Sequence, residues 1–206
     1  IIYYFSAFYQ LKDLSAGKLS FSVPTGNFGD AYAGYISKRM GLPINKIIVA
    51  TNKNDILDRV FKTGVYKSDY VSKTLSPSMD IQVASNFERL LFDFLHNDTK
   101  KVRKLMNNLS NKGHFNLEKR ILTRLSKDFD SGAVTDNDTI ATINHFYNER
   151  EIVLCPHSAI GVRVAKDFID TGETVVSLGT AHPAKFKETV ESALEVKIPI
   201  PPALES

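Results

Sequence analysis

Short apolar runs alternate with longer amphipathic segments along most of this chain. A continuous run of β-branched residues predicts a buried strand at 46–51, and shorter apolar segments predict strands at 19–23, 151–155 and 174–178. Apolar positions three and four residues apart predict helices at 1–11, 31–40, 55–62, 85–96, 99–109, 117–129, 136–148, 158–169 and 183–194. Short strands that alternate with longer helices are typical of an α/β fold. We therefore predict a doubly wound, mostly parallel sheet in three layers.

A basic helical segment interrupts this alternation at about 97–130. Residues 97–128 hold nine Lys or Arg and three Asp or Glu, so nine minus three gives a net charge of +6. Helices that expose Lys and Arg to water are common, and this segment has neither an aromatic platform nor a groove-binding motif. We predict a helical insertion here and expect no nucleic-acid partner.

Length and composition narrow the class of protein. With 206 residues, 43% of them hydrophobic, the chain can bury the core of a large domain. The single cysteine excludes an internal disulfide, and no apolar run reaches the roughly 18 to 20 residues that span a bilayer. The apolar start lacks a basic leader and a cleavage site, so we expect a cytoplasmic protein without a membrane partner. Because the chain begins at Ile1, inside an apolar helical pattern and without Met, we also expect a fragment.

The stretch VPTGNFGD lies between the first predicted strand and the helix that follows it. Gly26 and Gly29 would let the backbone approach a ligand closely, and the first amides of a helix attract anions. The spacing is neither the G-x-G-x-x-G of a dinucleotide site nor a P-loop, so a nucleotide is not favoured. From these residues alone, a phosphate site and a plain strand-to-helix turn are equally good interpretations.

Four blocks of sequence occur in order along the chain: VPTGNFGDAYAGYISKRMGLPI, ATNKNDILDRVFKTG, TLSPSMDI with SNFERLLF, and SLGTAHPAKFKETVESAL. Together they resemble threonine synthase, a pyridoxal-phosphate enzyme of the fold type that includes the tryptophan synthase β subunit. The resemblance covers nearly the whole chain and is weakest at 97–150. It implies that residues 1–206 form the carboxyl-side part of that family's large, pyridoxal-phosphate-binding domain.

The same resemblance implies a cofactor site. The phosphate of pyridoxal phosphate would be received by amides and side chains of the first block, from Gly26, Asn27, Phe28, Gly29 and Asp30. Thr180, in GTAHPAK, would lie against the pyridine nitrogen. A hydroxyl there moderates the electron withdrawal by the ring, whereas a carboxylate would maximise it.

The reaction that the resemblance implies is the conversion of O-phospho-L-homoserine and water to L-threonine and phosphate, the last step of threonine biosynthesis. The family's catalytic lysine follows an aromatic residue and precedes an aspartate. Lys127 and Lys166 precede an aspartate but follow Ser126 and Ala165, so no lysine here fits. We therefore assign no catalytic residue to this chain and expect the chain alone to be inactive.

Two alternative functions stay open at this point. One is another pyridoxal-phosphate lyase, such as a serine or threonine dehydratase, although SLGTAHPAKF argues against it because those enzymes generally carry a different ring-nitrogen block. The other is a non-catalytic module that binds a phosphorylated metabolite, which the missing lysine favours. Open sheet edges could pair with a second copy of the chain, so a homo-oligomer is a possible partner state.

Several polar residues outside the loop admit both a structural and a functional interpretation. Asn52 and Asn54 follow a predicted strand, and we interpret them as residues at a helix start rather than as substrate ligands. His182 either lies near the ring or supports a helix start, and Lys185 is interpreted as a solvated charge. Cys155 and His157 are too few for a zinc site, so we predict no metal.

Overall fold

The computed structural model describes residues 1–14, 19–169, 173–199 and 201–202. In these ranges the helices are α1 (Ile2–Leu11), α2 (Gly29–Arg39), α3 (Ile56–Thr63), α4 (Phe87–Phe94), α5 (Thr99–Lys112), α6 (Lys119–Asp128), α7 (Asp136–Arg150), α8 (Pro156–Ile169) and α9 (Lys187–Leu194). The strands are β1 (Leu19–Pro24), β2 (Ile44–Thr51), β3 (Val65–Lys67), β4 (His114–Asn116), β5 (Phe129–Ala133) and β6 (Val175–Ser177). Short 3₁₀ turns occur at Lys12–Leu14, Pro77–Met79 and Pro183–Phe186.

The main sheet has four parallel strands in the order β5-β2-β1-β6. Pro24 pairs with Ala50, and Ser22 pairs with Ser177, so the neighbouring strands end at the same edge. A separate antiparallel pair joins β3 to β4. The loops after β1, β2 and β6 therefore meet at the carboxyl edge of one sheet, the usual place for ligands in such folds.

The two faces of the sheet are covered by different helices, which confirms the predicted three-layer α/β class. On β2, Ile47 and Val49 belong to the larger core cluster, which also takes in buried side chains of α2, α3 and α4. The alternate residues Ile48 and Ala50 pack with Ile160 and Val164 of α8. Side chains that alternate between two apolar cores explain why β2 reads as a continuous hydrophobic run.

Two strand assignments of the main sheet differ from the prediction, and the short strands β3 and β4 were not predicted. Residues 151–155 form no strand, because α7 extends to Arg150, and Glu151 then adopts a left-handed conformation with φ 55° before α8 begins. The strand beside β2 is instead β5, whose sequence FDSGA has little β propensity. Gly132 suits this position, since an added Cβ would lie 2.7 Å from the Cγ1 atom of Val164.

The basic segment is part of the crossover that leads to β5. Val102 of α5 and Ile121 and Leu125 of α6 are buried, and the last two belong to the larger core cluster. The charged faces of the same helices are exposed to solvent. The prediction of two amphipathic helices is confirmed. Their apolar faces close one side of the α/β core.

Helix α7 begins at Asp136, as predicted, and Thr135 caps it. The Thr135 hydroxyl accepts a hydrogen bond from the amide of Asp138, and the Asp138 carboxylate accepts one from the amide of Thr135. This reciprocal arrangement is a capping box, in which two otherwise unpaired helix donors are satisfied.

Candidate functional site

The loop between β1 and α2 is anchored by Phe28. Its ring is fully buried and contacts the rings of Phe61, Phe87 and Phe129 at centroid distances of 5.6 to 5.9 Å. Its backbone is left-handed, with φ 69°, which turns the chain into α2. The expectation that the Phe28 side chain helps to receive an anion is wrong, because the ring belongs to the core. Only its amide is available to a ligand.

The amides of this loop fall into two groups. The Thr25 amide donates to the Ala50 carbonyl at 2.8 Å, and the Gly29 amide donates to the Asn27 side-chain oxygen at 3.1 Å. Among the described residues, no group accepts a hydrogen bond from the amides of Gly26, Asn27 or Phe28. Unpaired amides at a helix N-terminus attract an anion by about 0.3–1 kcal/mol, and more when partly buried.

Gly26 lies against the turn at Pro77–Met79. A Cβ added there would lie 2.9 Å from the Ser78 carbonyl oxygen and 3.0 Å from the Met79 Cα atom. Both are backbone atoms, so a side chain at Gly26 would push the two loops apart. The glycine is therefore needed for close packing of the loops. Its φ is not in the left-handed region.

A cleft of about 470 Å³ opens beside this loop, at the carboxyl ends of β1 and β6. Thr180 is exposed at its wall, and the Thr180 amide donates to the Ser158 hydroxyl at 3.4 Å. Residues from four separate parts of the chain share this cleft, among them Gly26, Asn27, Ser78, His157, Thr180 and Lys185. The structure thus places two of the predicted loop residues and Thr180 around the same cavity.

Asp30 lies apart from that cleft. Its carboxylate and carbonyl oxygens accept hydrogen bonds from the Tyr4 hydroxyl at 3.2 and 2.9 Å. Partial desolvation raises the pKa of Asp30, and the hydrogen bond from Tyr4 opposes that rise. Asp30 lines a second cleft of about 550 Å³, which it shares with Gly179 and Thr180. Its side chain therefore links α2 to α1, and Asp30 does not line the 470 Å³ cleft.

His157 was not singled out as a ligand-binding residue by the sequence, and its surroundings are unusual. The side chain is on the first turn of α8 and only 5% exposed, yet it lines the 470 Å³ cleft. No described residue forms a hydrogen bond with either ring nitrogen. Burial lowers the pKa of His157, while the charge of Asp80 works in the opposite direction.

Asn52 and Asn54 anchor the 72–80 loop. Both side-chain amides donate to the Asp80 carboxylate, at 2.8 and 3.0 Å, and Asn52 also donates to the Thr74 hydroxyl. Asn54 further exchanges hydrogen bonds with the backbone of Ser72. The residue at the start of α3 is Asp55, so neither asparagine caps this helix. The network fixes the loop that carries Ser78 and Met79 to the cleft.

The structure gives His182 a structural role and places Lys185 at the cleft. The His182 ring accepts a hydrogen bond from the Ala184 amide at 3.1 Å, so this histidine caps the Pro183–Phe186 turn, one of the two expected roles. Lys185 is exposed, as predicted, and it also lines the cleft that Gly26 and Asn27 line. Hydrophobic periodicity could not predict that Lys185 lines the cleft, because this depends on the tertiary position of the Pro183–Phe186 turn.

The described residues contain no helix long and apolar enough to cross a membrane. Within the same ranges, no three His, Cys, Asp or Glu side chains come together in a way that could hold a metal ion.

Residues 158–206 match the family model described as "Threonine synthase, C-terminal". Threonine synthase from Pseudomonas aeruginosa is 47% identical over 98% of this chain and 43% of its own length. Threonine synthase from Saccharomyces cerevisiae is 46% identical over 93% of the chain and 41% of its own length. Over the segment that it covers, this chain belongs to the threonine synthase family. It spans less than half the length of these threonine synthases.

A solved structure of PLP-bound threonine synthase from Brucella melitensis superposes with a TM-score of 0.94 at 46% identity. The match covers 98% of this chain and 44% of the threonine synthase chain. A solved threonine deaminase superposes with a TM-score of 0.53 at 10% identity over 87% of this chain and 52% of its own, which shows a shared fold and nothing more. The family assignment therefore rests on the threonine synthases.

Proposed function

We propose that this chain is the carboxyl-side part of the cofactor-binding domain of a pyridoxal-phosphate-dependent threonine synthase. The observation that carries the proposal is the shared cleft, where the loop with unpaired amides and Thr180 meet at one sheet edge. The similar threonine synthase from Brucella melitensis is PLP-bound, which supports the choice of cofactor. The whole protein would convert O-phospho-L-homoserine and water to L-threonine and phosphate.

The residues of the cleft fit a phosphorylated, ring-shaped cofactor. The amides of Gly26, Asn27 and Phe28 would hold the phosphate, and the Lys185 ammonium group would add attraction for the anion. We propose that the Thr180 hydroxyl meets the ring nitrogen, where it can accept or donate a hydrogen bond without imposing a full charge. When bound, the cofactor supplies the electron-withdrawing ring that makes elimination and replacement at the substrate's carbons possible.

The roles of Gly29 and Asp30 in this proposal are indirect. The Gly29 amide is already satisfied by Asn27, so Gly29 shapes the turn and leaves the neighbouring amides for the phosphate. Asp30 orients α2 through its hydrogen bond with Tyr4. A carboxylate beside the phosphate would repel it, which is consistent with the placement of Asp30 in the second cleft.

No lysine of this chain has the aromatic-Lys-Asp context of the family's catalytic lysine. We propose that the 206-residue piece by itself does not turn over substrate and that the catalytic lysine comes from another part of the full-length protein. A cytoplasmic location and a possible homo-oligomer stay predictions.

The direct test uses the full-length protein that contains this chain, loaded with pyridoxal phosphate and supplied with O-phospho-L-homoserine. We expect L-threonine and inorganic phosphate in equal amounts, and neither product from the 206-residue piece. Release of ammonia and a keto acid from serine or threonine, without threonine formation, would favour the dehydratase alternative. Binding of phosphorylated metabolites without turnover by the full-length protein would favour the binding module.

A further inference from the structure

The imidazole of His157 is buried, but it makes no hydrogen bond with the described residues. Its ring lies 4.4 Å from the Phe186 ring, centroid to centroid, and only 5% of the residue is exposed. Neither ring nitrogen has a hydrogen-bond partner among the described residues. Buried polar side chains in folded proteins nearly always have such a partner, so this arrangement needs an explanation.

A purely structural role does not account for a histidine here. A buried polar group without a partner costs about 1–3 kcal/mol, and an apolar side chain of similar size would pack against Phe186 without that cost. The other polar cluster at this sheet edge shows the usual solution, since the amides of Asn52 and Asn54 both reach the Asp80 carboxylate. His157 lacks such a partner and borders the cleft.

The position of His157 indicates what it would meet. It shares the cleft with Gly26 and Asn27, whose amides are unpaired, and with the basic residue Lys185. Desolvation lowers the pKa of His157, so the ring is neutral at ordinary pH, with one nitrogen as donor and the other as acceptor. A neutral donor beside a cation and several amides suits an anionic oxygen or a ring hydroxyl.

We propose that His157 is a ligand-binding residue of this cleft, which donates a hydrogen bond from one ring nitrogen to an oxygen of the bound pyridoxal phosphate. This inference rests on the proposed function, because it assumes that this cofactor occupies the cleft. It adds a side-chain contact from α8 to the backbone contacts from the β1–α2 loop and to Thr180. The ring of Phe186 holds the imidazole in place for that contact.

The test compares His157→Leu with wild type in the full-length protein, first without cofactor and then with pyridoxal phosphate. Without cofactor, we expect the variant to melt at the same temperature as wild type or higher, because two unpaired buried nitrogens are removed. With cofactor, we expect an affinity about threefold to tenfold weaker in equilibrium dialysis. His145→Leu is the matched control, since His145 is exposed on α7 and does not border the cleft, and it should change neither affinity nor stability.

A lower melting temperature with unchanged affinity would overturn the inference, because it would make His157 a packing residue. If wild type binds no pyridoxal phosphate at all, the proposed function fails as well, and the two failures are thereby distinguished. Should the leucine variant not fold, ¹⁵N-histidine spectra of wild type replace it. Cofactor must then shift the ring signals of His157 and not those of His145, and unmoved His157 signals would refute the contact.

Discussion

Two polar clusters lie at the carboxyl edge of the sheet, and they differ in whether the protein satisfies their hydrogen bonds. In the first, Asn52 and Asn54 share the Asp80 carboxylate with Thr74, and the four residues make a closed network. In the second, the amides of Gly26, Asn27 and Phe28 and both ring nitrogens of His157 have no partner in the described part of the chain.

This difference in hydrogen bonding distinguishes polar groups that stabilise the fold from polar groups that are available to a ligand. Polar groups that stabilise a fold are paired within the protein, because an unpaired buried group costs free energy. Groups that bind a ligand keep their hydrogen-bonding capacity for it. The two clusters are connected, since the network holds the 72–80 loop whose Ser78 and Met79 border the cleft. The hydrogen-bonded network around Asp80 therefore positions one wall of the cleft that contains the unpaired groups.

The largest effect on stability should come from breaking the satisfied cluster with Asp80→Ala. The carboxylate accepts hydrogen bonds from the Thr74 amide and hydroxyl and from both asparagine side chains, and all these donors would lose it. We expect the free energy of unfolding to fall by about 3 kcal/mol, measured by chemical denaturation.

Asp69→Ala is the control for this variant. The Asp69 carboxylate lies on the same connection between β3 and α4, near Asp80 in sequence, and accepts a hydrogen bond from the adjacent Tyr70 amide at an exposed site. Its removal should change stability by less than about 0.5 kcal/mol. Equal effects of the two variants would contradict the central place given to Asp80.

The second prediction concerns the packing of the phosphate loop. Gly26→Ala places a Cβ against the backbone of Ser78 and Met79, so the loops must separate. We expect a loss of about 1–3 kcal/mol in stability and at least about tenfold weaker binding of pyridoxal phosphate. Gly29→Ala should be milder, since its Cβ would meet the ends of the Asn27 and Asn86 side chains. The prediction fails if both variants bind equally.

The third prediction concerns the pH dependence of stability that His157 causes in the cofactor-free protein. Burial lowers the pKa of His157 below the ordinary 6.5 of the unfolded chain. Between the folded-state pKa and 6.5, the unfolded chain therefore binds more protons than the folded protein. Stability therefore falls as the pH drops below 6.5, by no more than about 1.4 kcal/mol per pH unit for one proton. Denaturation at about pH 7 and about pH 5 should show a smaller fall for His157→Leu than for wild type. Parallel curves would argue against a depressed pKa at this site.

The smallest effect is expected for Ser158→Ala, which removes the link between α8 and the Thr180 loop. The Ser158 hydroxyl accepts from the Thr180 amide and lies 3.2 Å from the Cys155 sulfur. We expect a loss of about 0.5–1 kcal/mol in stability and roughly twofold weaker cofactor binding, through a less well positioned Thr180. Ser158→Thr, which keeps the hydroxyl, should restore the affinity, and a failure to do so would remove the assigned role.

The strands illustrate how far local patterns reach. β2 was predicted because its residues 47–50 form a continuous apolar run, as expected for a strand buried on both faces, and β1 was predicted from Leu19, Phe21 and Val23. β5 was missed because Asp130, Ser131 and Gly132 resemble a turn, and it becomes a strand through its pairing with β2. The apolar run at 151–155 was predicted as a strand, but the chain there passes directly from α7 to α8.

The candidate site likewise contains residues that local sequence predicted and residues that only the structure identified. The glycine-containing turn and its position before a helix could be read from adjacent residues, and the resemblance pointed to Thr180. His157 and Lys185 carried no local signal, because a buried histidine and a lysine on a helical turn are common in any protein. Their role depends on a cleft assembled from loops that are far apart along the chain.

Hydrophobic periodicity and glycine placement act over a few residues, so local patterns already indicate which segments are buried and where the backbone can turn closely enough to meet an anion. The tertiary structure is needed to bring distant residues to one cleft and to leave particular polar groups unpaired. Ser22 and Ser177 are paired by strand order in the sheet, and that pairing brings the first loop to Thr180. Hydrogen-bond satisfaction depends on all surrounding elements at once, so no single stretch of sequence encodes it.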